Sequence, residues 1–466
     1  MLFNSYEFIF LFLPIVLLGY YVFLPQRARL PFLTILSYVF YGWWDYRFVS
    51  LMFLTTVIDY IAGLGIDRAK TQGGRKGWLL VSVISGLSLL GFFKYYELMA
   101  RTTNEIATWF HGAPVQALPL LHLILPIGIS FYTFHSMSYT IDIYRGVVKP
   151  AERFWNFSCF VALFTQLVAG PIIRYRDMAE QLVSRTHTLD KVHKGIVFFV
   201  LGLVKKVILA DGVAPLVGTV FDLQSPGLIA SWVGVLSYAM QIYFDFSGYS
   251  DMAVGLGYLF GFQIPQNFNS PYKALSITDF WRRWHISLST WLRDYLYVSL
   301  GGNRKGALRT YVNLFLTMLL GGLWHGANWT FVVWGGYHGL LLAIERATGK
   351  KSLMGWAPAA VQRGFAFLLV LIGWVLFRCD TLGHAGALLS GMAGFNGVGA
   401  QFIGHLKSVP LSCAMLAVTL GMVWALPNTW EIRWRPGFWS AVALGTMFVA
   451  CVLKLSHVSE FLYYQF

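Results

Sequence analysis

Apolar runs, most of them near the length of a membrane helix, alternate with short polar joints along the chain, beginning with residues 8–24, 31–44, 48–66, 78–93 and 121–141. The run at 31–44 is too short to cross a bilayer without tilt or local thinning. Further runs cover 195–210, 229–245, 252–262, 311–323, 329–344, 365–377, 411–426 and 438–453. The joints differ in charge. "PQRAR", "DRAKTQGGRKG" and "YRGVVKPAER" are basic, whereas "WDYR" and "RTTNEIATWFHGAPVQALPL" are less so, and an outward-facing N-terminus places every strongly basic loop inside. One segment breaks this alternation. "FWNFSCFVALFTQLVAGPII" reads as a span, yet the basic stretch after it, "RYRDMAEQLVSRTHTLDKVHKG", also belongs inside. A re-entrant or interfacial element resolves the conflict. Gln166, Gly170 and Pro171 interrupt the helical pattern, and such interruptions persist at membrane depth only beside protein or a water-filled cavity. The pattern predicts an all-α, polytopic integral membrane protein that encloses a cavity.

Composition supports this reading. Of 466 residues, 57% are hydrophobic and 12% charged, and the mean hydropathy is +0.59, outside the range of soluble domains. No joint is large enough for a soluble domain, so residues 1–466 read as a single membrane domain. The formal charge of +14, from 35 Lys+Arg against 21 Asp+Glu, fits cytoplasmic loops beside anionic membrane lipids, and no nucleic acid partner is needed to explain it. Cys159, Cys379, Cys413 and Cys451 are unpaired in spacing and lie in or near apolar runs, so neither disulfide nor metal is expected. The first run lacks a positive n-region and a small-residue cleavage site, and is expected to stay attached as the first membrane helix. Neither a fixed-period repeat nor an inverted pair of broken helices is visible, which weighs against a transporter.

Candidate chemistry concentrates between Tyr243 and His338. "YFDFSGYSDMAVGLGYLFGF" sets Asp245 and Asp251 in an apolar, glycine-rich run, where they either pair with nearby arginines or shape a polar cavity. Gly248, Gly255, Gly257 and Gly261 allow close backbone approach. From a helix start near Ser276 to Asp279, Trp281, Trp284, Leu288, Trp291, Leu292 and Tyr295 recur at helical steps, with Arg282, His285, Ser289 and Arg293 on a second strip. This predicts one amphipathic interfacial helix. Membrane anchoring explains its tryptophans and arginines, but leaves His285 unexplained. Arg282, Arg283 and Arg293, with Arg304 and Lys305, form a basic patch suited to the phosphates of a nucleotide-bearing donor, and equally to lipid phosphates.

In "LTMLLGGLWHGANWTFVVWGGYHG", His325 and Asn328 fall in the middle of a run apolar enough to enter a bilayer. Polar side chains at that depth are costly unless paired or wetted, and their spacing puts both on one helical face. A lone histidine there is as well explained by hydrogen-bonded packing as by catalysis. A second one, His285, tips the balance, because neutral imidazole accepts a proton from a hydroxyl near pH 7 and acyl transfer needs such a base beside an oxyanion donor. No Ser-His-Asp spacing, phosphate loop or metal-ligand cluster competes, and His325 and His338 are a poor metal pair.

The two motifs together, "FWRRWHISLSTWLRDYLY" and then "GGLWHGANWTFVVWGGYHG", resemble the membrane-bound O-acyltransferase family, and the resemblance runs from "MLFNSYEFIFLFLP" to "FLYYQF". It implies a funnel-like helical fold with re-entrant and interfacial helices, an essential histidine at His325 and a second characteristic polar residue at His285. It also implies an acetyl group taken from a cytoplasmic donor, with acetyl-CoA as substrate and no tightly bound cofactor. That group is passed through the inner membrane to a periplasmic SGNH-type acetyltransferase, which esterifies an exopolysaccharide, alginate being the expected acceptor. On this reading His325 is the general base, His285 assists on the cytoplasmic side of the same tunnel, and Asn328 positions the substrate or binds the oxyanion. Arg282, Arg283 and Arg293 hold donor phosphates, and Gly322 flanks the passage. D-alanyl transfer to teichoic acid is the alternative within the class, and a non-catalytic transporter of an acetylated carrier or lipid is the alternative outside it.

Overall fold

The computed structural model describes residues 1–349, 352–455 and 461–462, so of the closing "FLYYQF" only Phe461 and Leu462 fall within it. The described residues are helical, without a strand, and their contacts resolve two compact units, Met1–His187 and Thr188–Phe466.

The first unit contains α1 (Glu7–Phe23), α2 (Gln26–Gly42), α3 (Arg47–Arg68), α4 (Gln72–His111), α5 (Ile129–Tyr144), α6 (Phe154–Ala162) and α7 (Tyr175–Val183). α3 and α4 have the length and hydropathy of membrane spans. A buried polar relay ties α3, α4 and α5 together: the Ser82 hydroxyl donates to Asp59 at 2.6 Å and lies 2.9 Å from the Thr140 hydroxyl. Without such partners a carboxyl group in apolar surroundings is strongly penalised. The segment 154–173, whose apolar run has the look of a span, is not one helix. α6 stops at Ala162 and the chain turns, wholly buried, through 163–170. Gln166 satisfies part of this turn by donating from Nε2 to the Phe160 carbonyl at 3.0 Å. The helix break read from Gln166, Gly170 and Pro171 is real, although it begins at Leu163.

The second unit begins with α8 (Leu189–Val204), which runs through a π-helical stretch, Lys205–Ala210, into α9 (Asp211–Phe221). Then follow α10 (Leu228–Leu259), α11 (Ile277–Arg283), α12 (Ile286–Trp291), α13 (Gly306–His325), α14 (Trp329–Ala347), α15 (Ala359–Arg378), α16 (Leu382–Met392), α17 (Phe402–Ser408), α18 (Pro410–Ala425) and α19 (Phe438–Val452). α13 and α15 have the length and hydropathy of spans, and α17 and α18 form an apolar pair bent by 93°.

The two runs at 229–245 and 252–262 are one helix, the 32-residue α10. The acidic residues of this run are paired inside the protein. Lys206 Nζ lies 2.6 Å from Asp245, Lys205 Nζ lies 2.6 Å from Asp251, and the Thr429 hydroxyl donates to Asp251 at 2.7 Å. The expected ion pairing is present, with lysines in place of arginines. Glycine makes it possible: a Cβ on Gly202 would meet the Gly248 carbonyl at 2.5 Å, and one on Gly255 the Gly195 carbonyl at 2.6 Å. At Gly202/Gly248 and Gly195/Gly255, α8 and α10 therefore approach backbone to backbone. Gly257 has another role, since its open side faces Ile264.

Candidate active site

The expected continuous amphipathic helix is broken in two. α11 begins with a reciprocal cap: the Ser276 hydroxyl accepts from Asp279 N at 3.0 Å and the Asp279 carboxylate accepts from Leu275 N, one residue before the cap, at 3.1 Å. The buried Glu345 of α14 reinforces this start by accepting from Ile277 N, Thr278 N and the Thr278 hydroxyl at 2.8, 2.9 and 2.7 Å. A carboxylate at a helix N-terminus offsets the dipole and satisfies N–H groups that lack intrahelical partners. α11 ends at Arg283, His285 adopts left-handed backbone angles (φ +44°, ψ +54°), and α12 starts at Ile286. A β-carbon-bearing residue in that region is strained by about 1–3 kcal/mol, and the surroundings must hold it there.

Asn267 does so. Its Oδ1 accepts from Ser287 N at 3.2 Å and the Ser287 hydroxyl at 2.8 Å, its backbone carbonyl accepts from Ile286 N at 2.9 Å, and its Nδ2 donates to the Ser250 hydroxyl at 3.2 Å. The same Oδ1 lies 3.2 Å from His285 Nδ1. A backbone N–H can only donate, so the atom facing it is the amide oxygen, and His285 Nδ1 must carry the proton. Nε2 is then the nitrogen with the lone pair. His285 is outside the membrane-spanning helices and wholly buried, and burial pushes its imidazole down to about 3, which keeps it neutral at pH 7.

His325 comes from a second break. It is the last residue of α13, and Gly326 is extended before α14 begins at Trp329. The "LTMLLGGLWHGANW…" stretch is therefore a helical hairpin with His325 at its turn. A Cβ on Gly322 would collide with the Phe331 carbonyl and meet Gly335 Cα at 2.9 Å, so this glycine serves the tight α13–α14 contact. The His325 ring is caged by Trp324, Trp334 and Phe377 at centroid distances of 5.0, 5.2 and 5.2 Å. Its centroid is 6.4 Å from that of His285, whose ring also meets Phe246 edge-on at 4.8 Å. The fold brings the two histidines together. α13 rises roughly 30 Å between the basic loop at Arg304 and Lys305 and the turn at His325.

The other expected residues are placed differently. Asn328 does not share a helical face with His325, because the helix ends between them. It caps α14, its Oδ1 accepting from Thr330 N at 3.0 Å and its Nδ2 donating to the Asp380 carbonyl at 2.7 Å. Arg283 is turned back onto Asp279 at 2.9 Å and the Asn269 carbonyl at 3.3 Å. Arg282 and Arg293 are exposed, the latter beside Asp294 at 2.7 Å, and so share no strip with the buried His285. His338 accepts from Trp281 Nε1 at 3.4 Å, and Trp334 stands between it and His325, 5.0 and 5.2 Å from the two rings. Asn267, Trp334 and Phe377 escaped the sequence reading. Asn267 alone left a signal, as a polar residue in the "PQNFNSPY" stretch beside the histidine motif.

A buried pair of histidines in an aromatic cage, held by helix breaks in a multi-pass membrane protein, matches a known class. The profile of the membrane-bound O-acyltransferase family covers residues 152–377, which include both histidines. The chain belongs to the membrane-bound O-acyltransferase family and is an acyltransferase. It is 44% identical to a probable alginate O-acetylase AlgI of Azotobacter vinelandii over the full length of both chains. It is 50% identical to the protein of the same name from Pseudomonas aeruginosa over 85% of this chain and 75% of that one. A peptidoglycan O-acetyltransferase of Helicobacter pylori is 38% identical over 85% of this chain and 81% of its own.

Proposed function

We propose that this protein is an inner-membrane O-acetyltransferase that takes acetyl groups from cytoplasmic acetyl-CoA and delivers them for O-acetylation of an exopolysaccharide, alginate being the best-supported acceptor. The approach of His285 and His325 to 6.4 Å carries the reading. His325 takes the proton of the accepting hydroxyl as its oxygen attacks the thioester carbonyl. The new C–O bond forms, the C–S bond breaks, and the proton passes to the departing sulfur, so coenzyme A leaves as the thiol. His285, with Nδ1 engaged by Asn267, keeps a lone pair on Nε2 that can accept a hydrogen bond from the His325 ring once that ring has taken the proton. Arg282 and Arg293 remain candidates for the donor phosphates, and Arg283 is assigned to structure.

In this scheme the donor's phosphates stay at the inner face, its thioester arm reaches inward, and a periplasmic SGNH-type acetyltransferase receives the acetyl group. Similarity to alginate O-acetylases over the whole chain supports the acceptor class. The experiment is acetyl-CoA labelled in the acetyl group, given to purified protein in detergent. Release of coenzyme A, or labelling of an added periplasmic partner, supports transfer. Movement of label across proteoliposomes without release of coenzyme A identifies a transporter instead.

A further inference from the structure

A second feature lies in the first unit. A cavity of about 460 Å3 is lined by Arg27, Arg29, Arg153 and Arg185, with His187, Tyr20 and Trp155, and by Glu152 as its one acidic residue. These come from three stretches, "PQRAR", "KPAER" and "SRTH", which the charge rule assigns to the cytoplasmic side. The fold joins them. Among the described residues no carboxylate lies within ion-pair distance of Arg27, Arg29 or Arg153. The Nε of Arg29 is buried without a hydrogen-bond partner.

Two of these cations are held in place by the protein. Arg185 Nε donates to the Tyr20 hydroxyl at 2.9 Å, and His187 Nε2 lies 2.9 Å from the same oxygen. The Arg29 guanidinium sits 5.1 Å from the centre of the fully buried Tyr20 ring, and that of Arg185 sits at 5.7 Å. Two helices also begin at the cavity wall, α2 at Gln26 and α6 just after Arg153, neither with a side-chain cap on its first N–H groups. Four guanidinium groups and two uncapped N-termini repel one another unless an anion is present. Among the described residues no carboxylate pairs with Arg27, Arg29 or Arg153 to supply it.

We infer that this cavity binds a phosphate-bearing ligand with more than one phosphate or with a phosphodiester headgroup, at the inner face of the membrane. Planar guanidinium forks match phosphate oxygens two at a time, and Trp155 offers a surface for the group attached to the phosphate. The ligand is either an anionic lipid headgroup or the phosphates of a soluble nucleotide. The inference uses no residue of the histidine pair and stands apart from the acetyl-transfer proposal.

The test is calorimetric titration of the full-length protein in detergent with sodium pyrophosphate, coenzyme A, dioctanoyl phosphatidylglycerol and zwitterionic dioctanoyl phosphatidylcholine. The expected result is that at least one phosphate probe binds, that binding weakens as salt rises from about 50 to 300 mM, and that phosphatidylcholine does not bind. The double variant Arg27→Gln/Arg153→Gln, at two exposed positions, should weaken binding at least ten-fold with an unchanged melting temperature. Tighter binding of coenzyme A than of phosphatidylglycerol identifies a nucleotide, and the reverse identifies a lipid headgroup. No binding of any phosphate probe, or binding that the double variant leaves unchanged, overturns the inference.

Discussion

Replacing Asn267 tests whether the acyltransferase site depends on one amide oxygen. Asn267→Ala removes the acceptor of three donors, His285 Nδ1, Ser287 N and the Ser287 hydroxyl. A neutral hydrogen bond contributes about 0.5–1.5 kcal/mol, which biases the two imidazole tautomers by roughly two- to twelve-fold toward the form with its lone pair on Nε2. Losing that bias, together with the freedom gained by the His285 ring, should lower kcat about 10- to 100-fold with little change in KM. The stranded N–H of Ser287 should cost a further 1–3 kcal/mol, roughly, in stability. Asn267→Asp separates positioning from mere folding. Its carboxylate still accepts from Nδ1, but its charge raises the imidazole from about 3, so the acid limb of the pH–rate profile moves to higher pH and activity is lost earlier on acidification. The assay is release of coenzyme A from acetyl-CoA as a function of pH. Asn267→Ala turning over at the wild-type rate with an unshifted profile would remove Asn267 and His285 from the mechanism.

Other outcomes follow from the same structure. His325→Ala should abolish coenzyme A release and polysaccharide acetylation while the protein still inserts and elutes as one species, and His325→Gln should not restore activity; normal acetylation in either variant returns His325 to a packing role. Gly322→Leu should lower the melting temperature by driving a side chain into Phe331 and Gly335, an overpacking cost of about 1–3 kcal/mol or more; an unchanged melting temperature with blocked transfer would point to a passage instead. Lys206→Met strands the buried Asp245 and should cost about 3–5 kcal/mol, whereas Arg293→Gln, at an exposed pair, should leave thermal stability unchanged. Arg282→Gln should weaken acetyl-CoA binding in a salt-dependent way, and Arg283→Gln should act on stability through Asp279 and Asn269; binding isotherms at two ionic strengths, read beside melting curves, distinguish them.

Much of the fold was legible because apolar runs and helices share a physical cause. The runs at 48–66, 329–344 and 411–426 coincide closely with helices, the last ending one residue short of its run. The failures have a cause as well. A period of three to four residues carries no mark of a local break, so the strip through Arg282, His285 and Arg293 concealed the left-handed residue at His285. His325 and Asn328 are three apart in sequence, yet one closes a helix and the other opens the next. In sequence Asp245 and Asp251 point to nearby arginines because their true partners, Lys206 and Lys205, stand some forty residues earlier, a pairing that only tertiary contact reveals. The same limit hid Asn267, which touches His285 across a loop.

The glycine-faced contact of α8 and α10 has a consequence for how the protein is made. Lysine or aspartate at the centre of an inserting helix costs about 2.5–3.5 kcal/mol on biological insertion scales. Lys205 and Lys206 follow α8, and Asp245 and Asp251 lie on α10, so most of the charge on each segment is neutralised by the other, with Asp211 as a nearer partner of Lys206. Nascent α8 is therefore a poor insertion substrate until α10 has been synthesised, and the two should leave the translocon together. An arrest placed between them would leave α8 exposed to quality-control proteolysis, and one placed after Asp251 would not.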